Sequence, residues 1–482
     1  MKEIRPRQQA FWYTLINYFG VAIGIISSLF IYPLDKEFLG LVRYVDSIAQ
    51  ILFPLMVFGG AQALIHFYPN LNEENKSYLF KYGIITILAI SFVLFLVLLL
   101  GNYVVTWENY KYLFYAFPLG FVLAFVELFK RQATNIEKLE IPTLYEKIIP
   151  KIMLPSIFGL LIFGYLNVIN ALWTFVGSYF LLLLLLVLYM LKHYKAIKGF
   201  NFRSLFSQIS RKEYYSYSLF SFLGSFGSLL AFRIDAFMIP EFLSFEANGT
   251  FNIGVALASS LAIPATGIFL VYAPKISDYI KSKNISELGV KYKEIARLLF
   301  FVGAVLYTSV LLGIDSLFQL LPTYDKLVDT IPIIVLLGAN VLFNMATGFN
   351  SEIISYSKYY RFNVVSVLIL ALTNILLNLY FLTQTNLGII GVAYASIIAM
   401  VSFNCFKLVF IYRKFGILPF DKNYLKLVLL VVLSFMVFYS LPEFSNNILN
   451  LLVKVGLNAI VVVVLTHKFQ LIKDLNIWLK MK

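Results

Sequence analysis

Long runs of apolar residues alternate along the chain with short polar connections. A helix needs about 20 mainly apolar residues to cross a hydrocarbon core about 30 Å thick. The pattern predicts fourteen membrane-spanning helices and no connection long enough for a soluble domain. The predicted spans are 10–32, 38–68, 78–100, 110–131, 144–166, 168–191, 214–240, 247–273, 292–314, 328–356, 360–382, 388–412, 424–441 and 447–466.

A longer polar connection after the sixth span divides the predicted spans into two similar sets. Pro33 and Pro54 of the first set have counterparts in Pro240 and Pro264, displaced by 207 and 210 residues. Two sets of six spans enter from the same side, as a parallel repeat does. The sequence thus predicts an all-α polytopic membrane protein with two six-helix lobes plus two extra C-terminal helices. The predicted domains are 1–195 (N-terminal lobe), 196–213 (cytoplasmic linker), 214–414 (C-terminal lobe) and 415–482 (two additional helices and an interfacial tail).

Lys and Arg residues are distributed unevenly between the two predicted sides. Of the 39 in the chain, 33 lie on one side or toward the span ends that face it, four lie on or toward the other side, and two, Arg233 and Lys454, are counted as within spans. Because basic residues accumulate on the cytoplasmic side of membrane proteins, this bias places both termini in the cytoplasm. The basic residues lie beside span ends, where anionic lipid headgroups attract them. The formal charge of +14 therefore indicates membrane lipids as partners and not nucleic acid.

Signatures of enzymes and metal sites are missing from the sequence. The three histidines lie far apart, and no H-E-x-x-H, cysteine cluster or phosphate-binding glycine loop is present. The outer connections are too short to carry acid/base chemistry. We therefore predict no enzyme, no catalytic residue, no metal and no cofactor.

Four charged residues inside the predicted spans are the main candidates for function, because charges in a membrane are costly. They are Arg43 and Asp46 in the second span, and Arg233 and Asp235 in the seventh. All four fall in the outer third of the membrane. Arg43 and Asp46 could form a local i,i+3 pair at a helix end. Arg233 and Asp235 point to different helix faces, so at least one should meet another helix or face a wet cavity.

Several loose patterns together resemble a known family, the Wzx-type polysaccharide repeat-unit flippases. These flippases share a superfamily with multidrug and toxin extrusion transporters and lipid II flippases. The resemblance covers nearly the whole chain and combines the two six-helix halves plus two helices with four segments. These segments are GFNSEIISYSKYYRFNVVSVLILALTNILLNLYFL (348–382), NLGIIGVAYASIIAM (386–400), FRIDAFMI (232–239) and LAIPATGIFLVYAPKIS (261–277).

The resemblance implies a flippase that moves an undecaprenyl-pyrophosphate-linked oligosaccharide from the inner to the outer leaflet by alternating access. It implies a bacterial cytoplasmic (inner) membrane and a role in surface polysaccharide such as O-antigen of lipopolysaccharide. For this task we predict Arg233 and Asn17 as substrate-binding residues. Arg43 or Asp46 would meet Arg233 or Asp235 between lobes as an outer gate. The predicted partners are the lipid-linked oligosaccharide and H+ or Na+ as coupling ion.

Two departures separate this chain from the other subfamilies. Its first span carries no charge, and Asn17 is the main polar group there, whereas multidrug extrusion relatives often use an acid in an early helix. It also has fewer arginines than lipid II flippases typically place in their cavity. A cation-coupled multidrug exporter remains the alternative function, followed by a membrane-bound glycan polymerase or transferase.

Overall fold

The computed structural model describes residues 19–195, 197 and 199–472. Within these ranges the chain is helical, with short turns and no β-strand. Helices satisfy every backbone hydrogen bond internally, and this is what a chain in lipid requires. The prediction of an all-α polytopic fold is confirmed, and the chain is a multi-pass membrane protein.

Contacts divide the described chain into two compact units. The first contains 19–27 and Asp35–Gly249, and the second contains Ser28–Leu34 and 250–472. These units are defined by contacts in the structure, and the lobe boundaries predicted from the sequence stay a prediction. The seventh predicted span belongs to the first unit because it packs along the second span.

The first nine helices of the described chain begin in the first unit. They are α1 (Phe19–Phe30), α2 (Lys36–Val57), α3 (Gly60–Phe67), α4 (Glu73–Val104), α5 (Leu113–Asn135), α6 (Glu140–Ile162), α7 (Val168–His193), α8 (Phe202–Gln208) and α9 (Arg211–Phe242). Helix α10 (Phe245–Ser260) crosses from the first unit into the second. Short 3-10 turns cover Tyr32–Asp35, Tyr68–Asn70 and Glu108–Tyr112.

The second unit contains the remaining helices. They are α11 (Ile263–Lys281), α12 (Ile285–Gln319), α13 (Tyr324–Leu327), α14 (Ile331–Ala346), α15 (Asn350–Tyr356), α16 (Tyr360–Gln384), α17 (Ile389–Phe415), α18 (Lys422–Tyr439), α19 (Asn447–Asn450) and α20 (Asn458–Lys468). A 3-10 turn covers Val328–Thr330, and a π-helical segment, Leu451–Leu457, joins α19 to α20. The predicted interfacial tail lies mostly outside the described residues.

Polar side chains cap the first turn of several helices. The side chain of Asp35 accepts the backbone N–H of Phe38 at 2.9 Å and caps α2. Asn72 caps α4 and Asn167 caps α7 in the same way, through N–H groups three residues later. Each side chain satisfies a donor that would otherwise lack a partner at the helix start.

Helices long and apolar enough to span a membrane number eleven in the described chain. The pair α10–α11, bent by 44°, would be a twelfth. The other two of the fourteen predicted spans do not qualify. Helix α1 has only twelve described residues, and α6 carries Glu146, Lys147 and Lys151 within its length. The predicted count of fourteen is therefore not confirmed.

Three predicted spans are each interrupted. The second is broken between α2 and α3, where Phe58 has φ 45° and Gly59 has φ 72°. The eighth bends between α10 and α11, and the tenth breaks between α14 and α15. Proline or glycine accompanies each interruption, as expected where backbone hydrogen bonds of a helix are released.

Two glycines allow α2 and α10 to cross with their backbones in contact. A Cβ on Gly40 would overlap the carbonyl oxygen of Phe245, and a Cβ on Gly249 would overlap that of Lys36. Asn248 donates from Nδ2 to the carbonyl oxygen of Gly40 at 2.8 Å. We call this contact the glycine crossing.

Candidate binding site

Helix α9 packs antiparallel against α2 and α3 along their whole length. Aromatic pairs show the direction, because Tyr44 stacks on Phe237 near one end and His66 stacks on Tyr217 near the other. We call this contact the α2–α9 seam. Its Glu241 end contains Tyr44, Asp46, Arg233 and Glu241, and its Gly59 end contains Phe58, Gly59, Gln62 and His66 together with Ser218 and Phe222.

Two of the predicted site residues meet at the Glu241 end. An Nη1 atom of Arg233 lies 4.0 Å from Oδ2 of Asp46. The Asp46 side chain is 9% exposed, whereas the Arg233 side chain is 44% exposed. Hydrogen bonds between such groups measure about 2.7–2.9 Å, so the contact is a loose ion pair. The guanidinium of Arg233 therefore keeps donors available for another group.

Asp46 has a second polar neighbour on its own helix. Gln50 lies one turn further along α2 and donates from Nε2 to Oδ1 of Asp46 at 3.4 Å. Arg43, one turn before Asp46, is partly buried. The structure pairs Asp46 with Arg233 on α9, and no Arg43–Asp46 ion pair lies within 4.0 Å in the described chain. The local-pair arrangement is thus not the one found.

Tyr179 of α7 lies close enough to interact electrostatically with Asp46, Arg43 and Arg233. Glu146 acts on the same hydroxyl, and its own charge is offset by Lys130, whose Nζ lies 2.8 Å from Oε2. Arg43, Asp46, Arg233 and Glu146 thus all lie within electrostatic range of the Tyr179 hydroxyl.

The remaining two predicted site residues are Asp235 and Asn17. Asp235 lies two residues beyond Arg233 on α9 and is partly buried. Asn17 lies outside the described residues.

A second polar cluster at the Glu241 end was not predicted from the sequence. Glu241 accepts hydrogen bonds from the Tyr44 hydroxyl, from Nε1 of Trp107 at 2.7 Å and from Nδ2 of Asn109 at 3.1 Å. We call these four residues the Glu241 cluster. They come from three separate segments, and the sequence offered only an acid at a span end and a tryptophan typical of membrane interfaces.

The Gly59 end is built from backbone contact and rings. A Cβ on Gly59 would overlap the carbonyl oxygen of Ser218 in α9. Phe58 stacks on Phe222 with ring centroids 5.1 Å apart. In the described chain, one side-chain hydrogen bond crosses this end of the seam, from Nε2 of Gln62 to Oγ of Ser225 at 3.4 Å.

The second unit contains a buried cation that the sequence reading counted with the cytoplasmic basic residues. Lys407 of α17 is 1% exposed. It donates to Oγ of Ser351 at 2.7 Å and lies 3.8 Å from the ring centroid of Phe403. Ser351 follows the break between α14 and α15, where Asn350 and Asn404 are also joined by a hydrogen bond of 2.7 Å.

An apolar groove runs between α18 and α20 in the second unit. It encloses a volume of about 720 Å³. Its lining is mainly leucine, valine and phenylalanine, with Lys426 and Ser434 as the polar members. The lining residues are Lys426, Leu429, Leu430, Leu433, Ser434, Val437, Phe438, Val461, Leu465, Phe469 and Leu471.

Metal-ligating side chains do not cluster anywhere in the described ranges: no group of three or more His, Cys, Asp or Glu residues could hold an ion. The Glu241 carboxylate accepts its hydrogen bonds from three neutral donors.

The fold is that of several solved membrane transporters. The lipid II flippase MurJ, in an inward closed conformation, matches with a TM-score of 0.70 and 14% identity, over 95% of this chain and 98% of that chain. An inward-facing multidrug resistance MATE family transporter of the MOP superfamily matches with a TM-score of 0.63 and 14% identity, over 84% of this chain and 94% of that chain.

An outward-facing MATE family transporter of the MOP superfamily also matches, with a TM-score of 0.56 and 14% identity. That match covers 84% of this chain and 95% of that chain. No protein-family model and no curated protein matches the chain. At these identities the likeness establishes the fold, and the function has to be argued from the site.

Proposed function

We propose that this protein is a flippase for an undecaprenyl-pyrophosphate-linked oligosaccharide repeat unit, which it moves from the inner to the outer leaflet by alternating access. The ligand combines a pyrophosphate, a polar glycan and a long polyprenyl chain. Crossing requires an anion site at membrane depth and a path for the chain that remains apolar.

The observation that carries the proposal is the half-exposed guanidinium of Arg233 beside the buried carboxylate of Asp46. A guanidinium presents paired N–H donors that match phosphate oxygens, and such charge-assisted bonds are stronger than neutral ones. A cation inside a membrane span carries a large energetic cost, so such a residue is a candidate for function. Phosphate binding is the function that fits its geometry.

The apolar groove of the second unit is consistent with the same ligand. A volume of about 720 Å³ with an almost wholly apolar lining suits part of a polyprenyl chain. We propose that the chain rests there while the head group binds elsewhere.

The remaining predicted roles belong to this proposal. Asn17 would contact the glycan, and Arg43, Asp46 and Asp235 would take part in an outer gate. H+ or Na+ would serve as coupling ion, in a bacterial cytoplasmic (inner) membrane with both termini in the cytoplasm. Surface polysaccharide biosynthesis, such as that of O-antigen in lipopolysaccharide, is the proposed context.

A cation-coupled multidrug exporter is the second candidate, favoured by the fold shared with the MATE family structures. Such an exporter needs a carboxylate for its cation, and Asp46 is instead paired with Arg233. The pairing therefore favours an anionic ligand. A membrane-bound glycan polymerase or transferase is a weaker candidate, because none of the described pockets combines acid/base groups with a metal site.

The first prediction tests the role of Arg233 in proteoliposomes that contain a fluorescent undecaprenyl-pyrophosphate-linked oligosaccharide. We expect Arg233→Ala to slow flipping roughly 10- to 100-fold, since a hydrogen bond to a charged group contributes about 1.5–3 kcal/mol. Arg233→Lys should retain part of the rate, because it keeps the charge without the paired donors.

Arg203→Ala is the matched control, because Arg203 is exposed on α8 and should be neutral. Flipping at the wild-type rate by folded Arg233→Ala protein would refute the proposed anion site. Efflux of organic cations without movement of the lipid-linked sugar would establish the exporter instead.

A further inference from the structure

We infer that Asp46 is an internal competitor of the ligand: it occupies Arg233 in the empty protein, yields it to a phosphate group, and reclaims it when the ligand leaves. This inference rests on the proposed function, because it concerns the same site. It gives Asp46 the task of releasing the ligand, which differs from binding the ligand and from closing a gate.

The distance between Asp46 and Arg233 makes the exchange possible. At 4.0 Å between Nη1 and Oδ2, the pair has electrostatic attraction without the short, paired hydrogen bonds of a tight Arg–carboxylate contact. A phosphate group can form those short bonds. It can therefore displace the carboxylate although both are anions.

Gln50 provides the carboxylate with a donor during the exchange. Its Nε2 lies 3.4 Å from Oδ1 of Asp46, whereas Arg233 approaches Oδ2. Gln50 and Arg233 thus contact different oxygen atoms of the Asp46 carboxylate. When a phosphate takes the guanidinium, Asp46 keeps a polar partner on its own helix and need not leave its position.

The difference in exposure between Asp46 and Arg233 indicates which side chain moves when the ligand binds. Asp46 is buried and fixed, while Arg233 is half exposed and can turn toward a ligand. A buried carboxylate that stays close to a bound phosphate repels it, and this repulsion lowers the affinity. A carrier benefits from such a limit, since a ligand held too tightly in either leaflet would not be released.

The test uses the purified full-length protein in nanodiscs, with undecaprenyl diphosphate as anionic probe and undecaprenol as uncharged probe. Asp46→Asn keeps the shape of the side chain and removes its charge. We expect it to bind the diphosphate about three- to tenfold more tightly, in the range of one partly buried charge pair. The change should appear in the dissociation rate and weaken as salt is added.

Flipping separates the competitor from a residue that merely positions Arg233. With Asp46→Asn we expect later turnovers in proteoliposomes to be slowed more than the first, because release becomes limiting. If Asp46 only positioned Arg233, the same variant would bind the diphosphate less tightly. Asp325→Asn, at an exposed acid of the second unit, is the control and should change neither measurement.

Gln50→Ala provides an independent test. Without Gln50, Asp46 depends more on Arg233, so diphosphate binding should weaken, in the opposite direction to Asp46→Asn. Unchanged or weaker binding by Asp46→Asn would overturn the inference while leaving the proposed function intact. If the wild type binds undecaprenyl diphosphate no better than undecaprenol, the proposed function itself fails.

Discussion

At the Glu241 end of the α2–α9 seam three neutral donors converge on one carboxylate, whereas at the Gly59 end two backbones touch and aromatic rings stack. Hydrogen bonds to a carboxylate thus hold the seam at one end, and direct backbone contact holds it at the other. Hydrogen bonds to a carboxylate are strong but can be exchanged for bonds to water or to another donor. A backbone contact made possible by a missing Cβ has no substitute partner.

This difference predicts how the seam responds when α9 moves. The Glu241 end should open and close, because its donors and acceptor remain satisfied in water. Rings stack at both ends, but the Gly59 end should stay closed, because separating its two backbones leaves a gap that no side chain fills. The Arg233–Asp46 pair lies at the end that we expect to open.

The largest effect is expected from Gly59→Ala. Gly59 has φ 72°, and its Cβ would overlap the carbonyl oxygen of Ser218. The left-handed conformation costs a non-glycine residue about 1–2 kcal/mol, and steric overlap in a packed interior adds about 1–3 kcal/mol. We expect most of the folded protein to be lost, measured as the monodisperse fraction after heating in detergent.

Gly177→Ala is the matched control for that change. Gly177 lies in α7, and a Cβ there would meet nothing within 4 Å. Alanine in a helix favours folding by about 0.5–1 kcal/mol over glycine, so this variant should be as stable as the wild type or slightly more stable. Equal stability of the two variants would show that the Gly59 end is not closely packed.

An intermediate effect is expected from Glu241→Gln. The amide keeps an acceptor oxygen but loses the charge that strengthens three hydrogen bonds, so we expect a loss of about 1–3 kcal/mol. Hydrogen–deuterium exchange should rise in peptides from the Glu241 end and stay unchanged at the Gly59 end.

The neighbouring exposed acid offers a control, since Glu246→Gln removes a carboxylate with no hydrogen bond to the Glu241 cluster. It should change stability by less than about 0.5 kcal/mol. Faster exchange at both ends after Glu241→Gln would mean that the seam opens as one unit, and the distinction between its ends would be lost.

The smallest effect is expected from Gln62→Ala. The hydrogen bond from Gln62 to Ser225 measures 3.4 Å and joins two neutral groups, so it contributes less than a bond of the same length to a carboxylate, such as that from Gln50 to Asp46. We expect a loss of less than about 0.5 kcal/mol in thermal unfolding. A loss near that of Glu241→Gln would show that polar contact, and not backbone contact, also holds the Gly59 end.

Much of the helical architecture could be predicted from the sequence, because apolar runs of sufficient length permit little other than helix in a membrane. The break at Gly59 was indicated only in part, by Pro54 before it and the Gly59–Gly60 pair. Phe58, a non-glycine residue with positive φ, gave no signal. Its left-handed conformation ends α2, where its N–H donates to the carbonyl oxygen of Pro54, and its ring stacks on Phe222 of α9.

The candidate site was predicted less completely. The cost of charge in a membrane identified Arg233 and Asp46, but their pairing, in preference to a local pair with Arg43, depends on how α9 packs on α2. The Glu241 cluster requires three distant segments to meet. The burial of Lys407 beside Ser351 was not predicted, because charge alone does not distinguish an exposed lysine at a helix end from one packed inside the protein.

The glycine crossing between α2 and α10 constrains how this sequence can drift. Gly40 lies against the carbonyl oxygen of Phe245, and Gly249 lies against that of Lys36, so neither position has room for a methyl group. Each glycine faces a backbone carbonyl group. No smaller side chain on the opposite helix could therefore make room for a methyl group at either position. Lineages that carry this crossing would therefore keep both glycines while the surrounding apolar residues exchange freely.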